Sequence, residues 1–269
     1  MSTPSGIPKP AASRPHIEVS DLTKEIHPEA VTVRGVSFSV HAGEVYCILG
    51  AAGAGKTTIA DIAAGLDRRT GGQVRIMGHD PAASPMEVRR LLSYASGRSR
   101  LYGSLSPLDC VSLLTRLADG RRVPREGAVD VLRFMAVPDR AMDRPLAHQV
   151  REMSLFVSLA VARLRETPVI VLDEPTANLD SRAIGQFLGT LSTFRSTGTA
   201  VLMTTDNVLV AAQAGDRVGI LKNGELLAER GRSQMTGINV LELYAHFVGS
   251  GPGLSLDPYV ASGRLADLA

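Results

Sequence analysis

The sequence predicts an α/β fold: a parallel-sheet core around a phosphate-binding loop, β elements ahead of that loop, and a helical subdomain inserted into the core. Three observations carry this reading. The apolar run Val45-Tyr46-Cys47-Ile48-Leu49 leads directly into Gly50-Ala51-Ala52-Gly53-Ala54-Gly55-Lys56-Thr57-Thr58, the pattern G-x-x-x-x-G-K-[ST] in a strand-to-helix setting. A second apolar run, Val169-Ile170-Val171-Leu172, ends in Asp173-Glu174-Pro175. That is how a buried parallel strand delivers acidic side chains to the carboxyl edge of a sheet. Asp173 lies 117 positions after Lys56, which leaves room for an insertion. Between roughly 100 and 165 the apolar sets Val111, Leu114, Leu117 and Leu155, Leu159, Val161, Ala162 have helical spacing.

Bulk properties frame these elements. The chain has 269 residues, 44% of them apolar, enough for a well-buried core. Its net charge of +2, with no run of five or more Lys or Arg, argues against nucleic acid as the main partner. Residues 1–15 are rich in Pro, Ser and Ala and read as a disordered tail. Residues 250–269, opening Ser250-Gly251-Pro252-Gly253, read as a flexible tail, which leaves a working domain at 16–249. No stretch approaches the ~18 apolar residues of a membrane span. Cys47 and Cys110 read as buried thiols, which suits a reducing compartment.

The phosphate loop implies a nucleoside triphosphate. Its glycines let backbone N–H groups turn inward, and the helix that follows adds the positive end of its dipole. Residues Gly50 to Thr58 are the candidate nucleotide-binding set, with Lys56 reaching the β- and γ-phosphates and Thr57 on Mg²⁺. Ile59, Ile62, Ala63 and Leu66 predict an amphipathic helix packed on the sheet. Asp173 is the second candidate Mg²⁺ residue, and Glu174 is placed to polarise an attacking water as general base. A glycine-rich turn and an acidic helix cap are the plainer readings of the two motifs taken singly. Their joint presence favours ATP and Mg²⁺.

By its run Asp173-Glu-Pro-Thr-Ala-Asn-Leu-Asp180, the chain resembles the ATP-binding subunits of ABC transporters. Other landmarks fall in order: Ile17 to Lys24, Gly35 to Val40, Gly43-Glu44, Gly71 to Gly78, and Asp216 to Gly224. The resemblance covers essentially all of 16–249. It implies a P-loop NTPase core, an N-terminal antiparallel β element and a helical subdomain at about 100–163. Lys222-Asn223-Gly224 also reads independently as a hairpin turn. Val240, Leu243, Tyr244, Phe247 and Val248 resemble the terminal helix of the drug- and polymer-exporting branch, toward which Gly78-His-Asp-Pro81 also points.

Departures from that pattern bear on mechanism. Counting back from Ala162-Arg163, the family's Leu-Ser-Gly-Gly-Gln signature aligns with Arg151-Glu152-Met153-Ser154-Leu155, without its glycines. The glutamine that joins the catalytic site to the helical subdomain aligns with Gly97, and the histidine that contacts the γ-phosphate aligns with Thr205. The aromatic residue that stacks on adenine aligns with Ile26, with His27 beside it. None of the six histidines forms a spaced metal pair.

The resemblance therefore implies an ABC-type ATPase of weak intrinsic activity, peripheral on the cytoplasmic face of the membrane through an integral-membrane permease. Its second ATP-binding subunit is expected to be a hetero-partner sooner than a second copy. The alternative is a degenerate regulatory or scaffolding subunit with little hydrolysis of its own, paired with an active ATPase.

Overall fold

The computed structural model describes residues 14–27, 30–98, 101–149, 152–234, 242, 244 and 245. The chain opens with β1 (Ile17–His27) and β2 (Ala30–Val40), followed by β3 (Val45–Leu49), α1 (Lys56–Ala64) and β4 (Gly71–Ile76). Next come α2 (Pro85–Leu91) and β5 (Leu92–Ser96). Between β5 and β6 (Val169–Asp173) lie the helices α3 (Pro107–Asp119), α4 (Arg125–Phe134), α5 (Asp139–Met142) and α6 (Met153–Arg165). The order closes with α7 (Ser181–Ser196), β7 (Ala200–Thr205), α8 (Val208–Ala214), β8 (Arg217–Lys222) and β9 (Glu225–Gly231).

Two sheets result. One is antiparallel with order β2-β1-β4; the other has order β5-β6-β7-β3-β8-β9 and is parallel except for the edge strand β9. The predicted fold class is borne out, including the parallel core and the N-terminal antiparallel element. Every residue of β3 and of β6 is buried, which explains why both read as unbroken apolar runs. The hydrophobic core has two parts. One lies between the six-stranded sheet and helices α3, α4, α6, α7 and α8, and the other between that sheet, α1 and the antiparallel sheet.

Local chemistry sets the element ends. Pro107 starts α3 behind a capping box, in which the Ser106 hydroxyl accepts from Asp109 N–H and the Asp109 carboxylate accepts from Ser106 N–H. Asn223 (φ 51°) and Gly224 (φ 82°) join β8 to β9, the positive angles that the Asn-Gly pair predicted. Cys47 and Cys110 are free and buried, also as expected.

Two apolar assignments are corrected. Leu66 is 64% exposed because α1 ends at Ala64 and Gly65 turns left-handed, so the fourth residue of the predicted stripe falls past the helix. Leu117 is 68% exposed although Val111 is buried, because steps of three lag the 3.6-residue turn and carry the third member away from the core. Residues 1–13 and 246–269, on which the tail expectations rest, lie outside the described residues, as do Val240 and Leu243. Tyr244 is described and buried. Among the described residues no helix is long and apolar enough to cross a membrane.

Tyr46 ties the two sheets together. It is fully buried, stacks on Phe38 with centroids 4.8 Å apart, lies under the Arg217 guanidinium at 4.9 Å and donates to Glu229 Oε2 at 2.8 Å. Tyr46→Ala is expected to cost about 3–5 kcal/mol of stability in urea unfolding. A loss under about 1 kcal/mol would contradict this packing role.

Candidate nucleotide site

The site is built where β3, β6 and β7 end side by side. The parallel register sets Leu49 opposite Thr205 and Asp173 opposite Thr204, so the loop after β3 meets the acidic end of β6 across β7. Gly50 N–H donates to Thr205 O at 3.2 Å and anchors the start of the loop. Gly55, at φ 103°, caps α1, and a Cβ there would stand 2.5 Å from the carbonyl oxygen of Thr32. Only glycine fits both the angle and the approach. No acidic residue occupies the first turn of α1, so the positive end of the helix dipole stays unneutralised there.

Lys56 and Thr57 then extend from the first turn of α1. Lys56 Nζ lies 2.8 Å from Glu174 Oε1 and donates to Gly50 O at 2.7 Å and Ala51 O at 3.0 Å. Both partners of this ion pair are buried. Thr57 Oγ1 stands 3.1 Å from each carboxylate oxygen of Asp173, and Thr204 Oγ1 donates to Asp173 Oδ1 at 2.7 Å. The Thr57 hydroxyl and the Asp173 carboxylate are hard oxygen donors in contact, a donor set that fits Mg²⁺.

Glu174 is held in an unusual backbone state. Its φ is +45°, which costs a non-glycine residue about 1–2 kcal/mol. Its N–H is shared between Thr204 O and Thr204 Oγ1, both at 3.1 Å, and its Oε2 accepts from Asp206 N–H at 3.2 Å. Burial pushes the Glu174 carboxyl above the usual glutamate range; Lys56 opposes that rise, and the Asp206 charge adds to it. A desolvated carboxyl whose proton affinity is raised, beside this cavity, suits proton transfer.

A cavity of about 180 Å³ opens in front of these groups, lined among others by Thr32, Gly53, Lys56, Thr57, Arg98 and Glu174. Most of the predicted loop residues surround it, with Ala52, Gly53 and Thr57 exposed at its mouth. Ala54 is buried in the core and spends its N–H on Ala51 O at 3.2 Å, so it shapes the loop from behind. Ile26 is 62% exposed on β1 and is not among the lining residues. Thr32, on β2, is the nearer residue. Thr32, Arg98, Thr204 and Asp206 went unnoticed in the sequence.

Thr205, the residue aligned with the family's histidine, is fully buried, its hydroxyl accepts from Asn207 N–H at 3.0 Å, and it is not among the residues lining the cavity. Asp206, one residue later, is the exposed group at the strand edge beside Glu174. At the signature position α6 begins at Met153, and Met153 and Leu155 are buried, leaving Glu152 and Ser154 at the surface. Burial, reinforced by Asp180, raises the Glu152 carboxyl. Arg151 lies outside the described residues.

The family model for ABC transporters matches residues 33–177, more than half of the chain. The chain belongs to the ABC transporter family. Among its relatives is the daunorubicin/doxorubicin resistance ATP-binding protein DrrA of Streptomyces peucetius, 32% identical over 234 residues that cover 86% of this chain and 70% of that protein. The pyoverdine export ATP-binding/permease protein PvdT of Pseudomonas entomophila is 30% identical over 82% of this chain. The ABC chain spans only 35% of PvdT, and 46% of the ribose import ATP-binding protein RbsA 1 of Rubrobacter xylanophilus. A solved ATP-binding subunit of an ABC transporter superposes with a TM-score of 0.72 at 26% identity, covering 92% of this chain and 99% of that one. The dimeric structure of a bacterial ABC transporter cassette has a TM-score of 0.73 at 24% identity, covering 80% and 98%, and shows the shared fold.

Proposed function

We propose that this chain is the ATP-binding subunit of an ABC exporter: it binds MgATP, closes against a second ATP-binding subunit and drives a separate integral-membrane permease from the cytoplasmic face. One observation carries the reading: across motifs 117 positions apart, Lys56 meets Glu174 at 2.8 Å and Thr57 meets Asp173 at 3.1 Å, and Lys56, Thr57 and Glu174 line one cavity. Mg²⁺, held by Thr57 and Asp173, would neutralise charge on the phosphates. Lys56 orients the β- and γ-phosphates, and Glu174 accepts the proton of the attacking water. The drug-resistance relative DrrA supports the export branch.

The surface features fit partners of two kinds. A cleft of about 320 Å³ runs between α1, α2, α3 and α6, lined by Leu66, Pro85, Val88, Leu101 and Leu114 among others, with Leu66 exposed at its rim. It suits an apolar segment of the permease. At the start of α6, Glu152 offers a carboxylate where a partner's phosphates would approach, so two copies of this chain would each meet repulsion. That favours a non-identical ATP-binding partner and slow hydrolysis by the isolated chain.

Co-expression with a multi-span permease encoded beside this chain tests the proposal. The expected result is a stable complex whose phosphate release exceeds that of the isolated chain. Leu66→Glu is expected to lose the permease on purification while MgATP binding is retained. An isolated chain that hydrolyses ATP as fast as the complex, and no permease recovered with wild type, would contradict it.

A further inference from the structure

The end of β5 contains a feature that none of the motifs explains. Ser96 pairs with Asp173, and immediately afterwards Gly97 N–H donates to Asp173 O at 3.0 Å while Gly97 O accepts from Asn178 Nδ2 at 2.8 Å. A Cβ on Gly97 would collide with the carbonyl oxygen of Glu174 and come within 3.2 Å of Pro175 C. Absence of a side chain therefore lets this segment lie directly on the backbone of Glu174. A glutamine would have no space in this arrangement.

That contact fixes where the next residue sits. Arg98 lines the phosphate cavity together with Lys56, Thr57 and Glu174. Its backbone N–H is turned back onto Ser96 Oγ at 3.2 Å, and its side chain is exposed. Among the described residues it has no ion pair and no side-chain hydrogen bond. The other cation of the cavity, Lys56, is already engaged by Glu174, while Asp173 and Asp206 place further negative charge at the same edge. A triphosphate brings more negative charge than one lysine and one divalent cation neutralise. A second positive group there would add to the attraction that the loop and the α1 dipole already provide, and Arg98 is the unpaired cation on the cavity wall.

We propose that Arg98 is a second phosphate-binding cation, which engages the terminal phosphate of a nucleoside triphosphate and takes over from the side chains missing at positions 97 and 205. The proposal rests on the reading of the loop as a nucleotide site. A guanidinium suits the task because its planar fork holds two phosphate oxygens at once. Engagement of the terminal phosphate makes Arg98 a specificity residue, separating triphosphate from diphosphate, and Gly97 its positioning residue.

Calorimetric titration of wild type, Arg98→Ala, Arg98→Lys, Gly97→Ala and Lys56→Ala with MgATP and with MgADP tests this. Arg98→Ala is expected to weaken MgATP about 10- to 100-fold and MgADP less than about threefold, the scale of one charge-assisted contact. Arg98→Lys should keep part of the preference for ATP. Gly97→Ala should reproduce the loss with Arg98 intact, because the segment is pushed off Glu174. An equal loss for both nucleotides in Arg98→Ala, or no loss for either, would overturn the assignment. Lys56→Ala separates the underlying reading: if it leaves both affinities at wild-type values, the loop is not the nucleotide site, whatever Arg98 does.

Discussion

Lys56→Ala is expected to eliminate ATP hydrolysis and, in the empty protein, to destabilise the fold. The lysine is buried in an ion pair with Glu174, itself buried, so its removal strands a carboxylate in a desolvated site. Breaking such a pair costs about 3–5 kcal/mol. The sign of the pH dependence follows from the same geometry. Burial raises the Glu174 carboxyl above its unfolded value, so the folded chain holds this proton to higher pH than the unfolded chain does. Stability from this group is therefore greatest in acid and declines as pH rises from about 4.3 through the raised value. Lys56 is the main group holding that rise down, so its loss extends the window upward. Urea unfolding of wild type and variant from acid to neutral pH checks this. The gap between them should widen as pH rises, and a gap independent of pH would show that Glu174 and Lys56 are not coupled.

Glu174→Gln is expected to separate hydrolysis from binding. Loss of a general base lowers the rate of phosphate release by about 10²- to 10⁴-fold. Affinity for MgATP should rise, because the neutral amide releases Lys56 from a charged partner that competes with the phosphates. Single-turnover phosphate release and equilibrium binding, measured on the same preparation in the transporter complex, read the two effects. Unchanged hydrolysis would assign water activation to another group, and weaker binding would mean that the Lys56–Glu174 pair does not compete with nucleotide.

The parts of the site written as contiguous motifs were legible in the sequence. Gly50 to Thr58 and Asp173-Glu174 each encode a loop or a strand end in one local pattern, and the apolar strands before them announced a parallel core. What was hidden depends on neighbours distant in sequence. Arg98 reaches the phosphate cavity only because β5 lies beside β6, and Gly97 must be glycine only because the Glu174 carbonyl occupies the place of its side chain. Thr204 takes its role from pairing across to Asp173. Leu66 and Leu117 failed because periodicity does not report where a helix stops or how a set of threes drifts.

Calorimetric titration of MgATP into the wild-type chain and into Lys56→Ala tests the nucleotide reading most directly. Wild type is expected to bind close to one MgATP per chain, and the variant to bind at least about tenfold more weakly, the scale of one charged contact to phosphate. Equal affinities in the two proteins, or no binding to wild type at any attainable concentration, would contradict the assignment of the site to ATP.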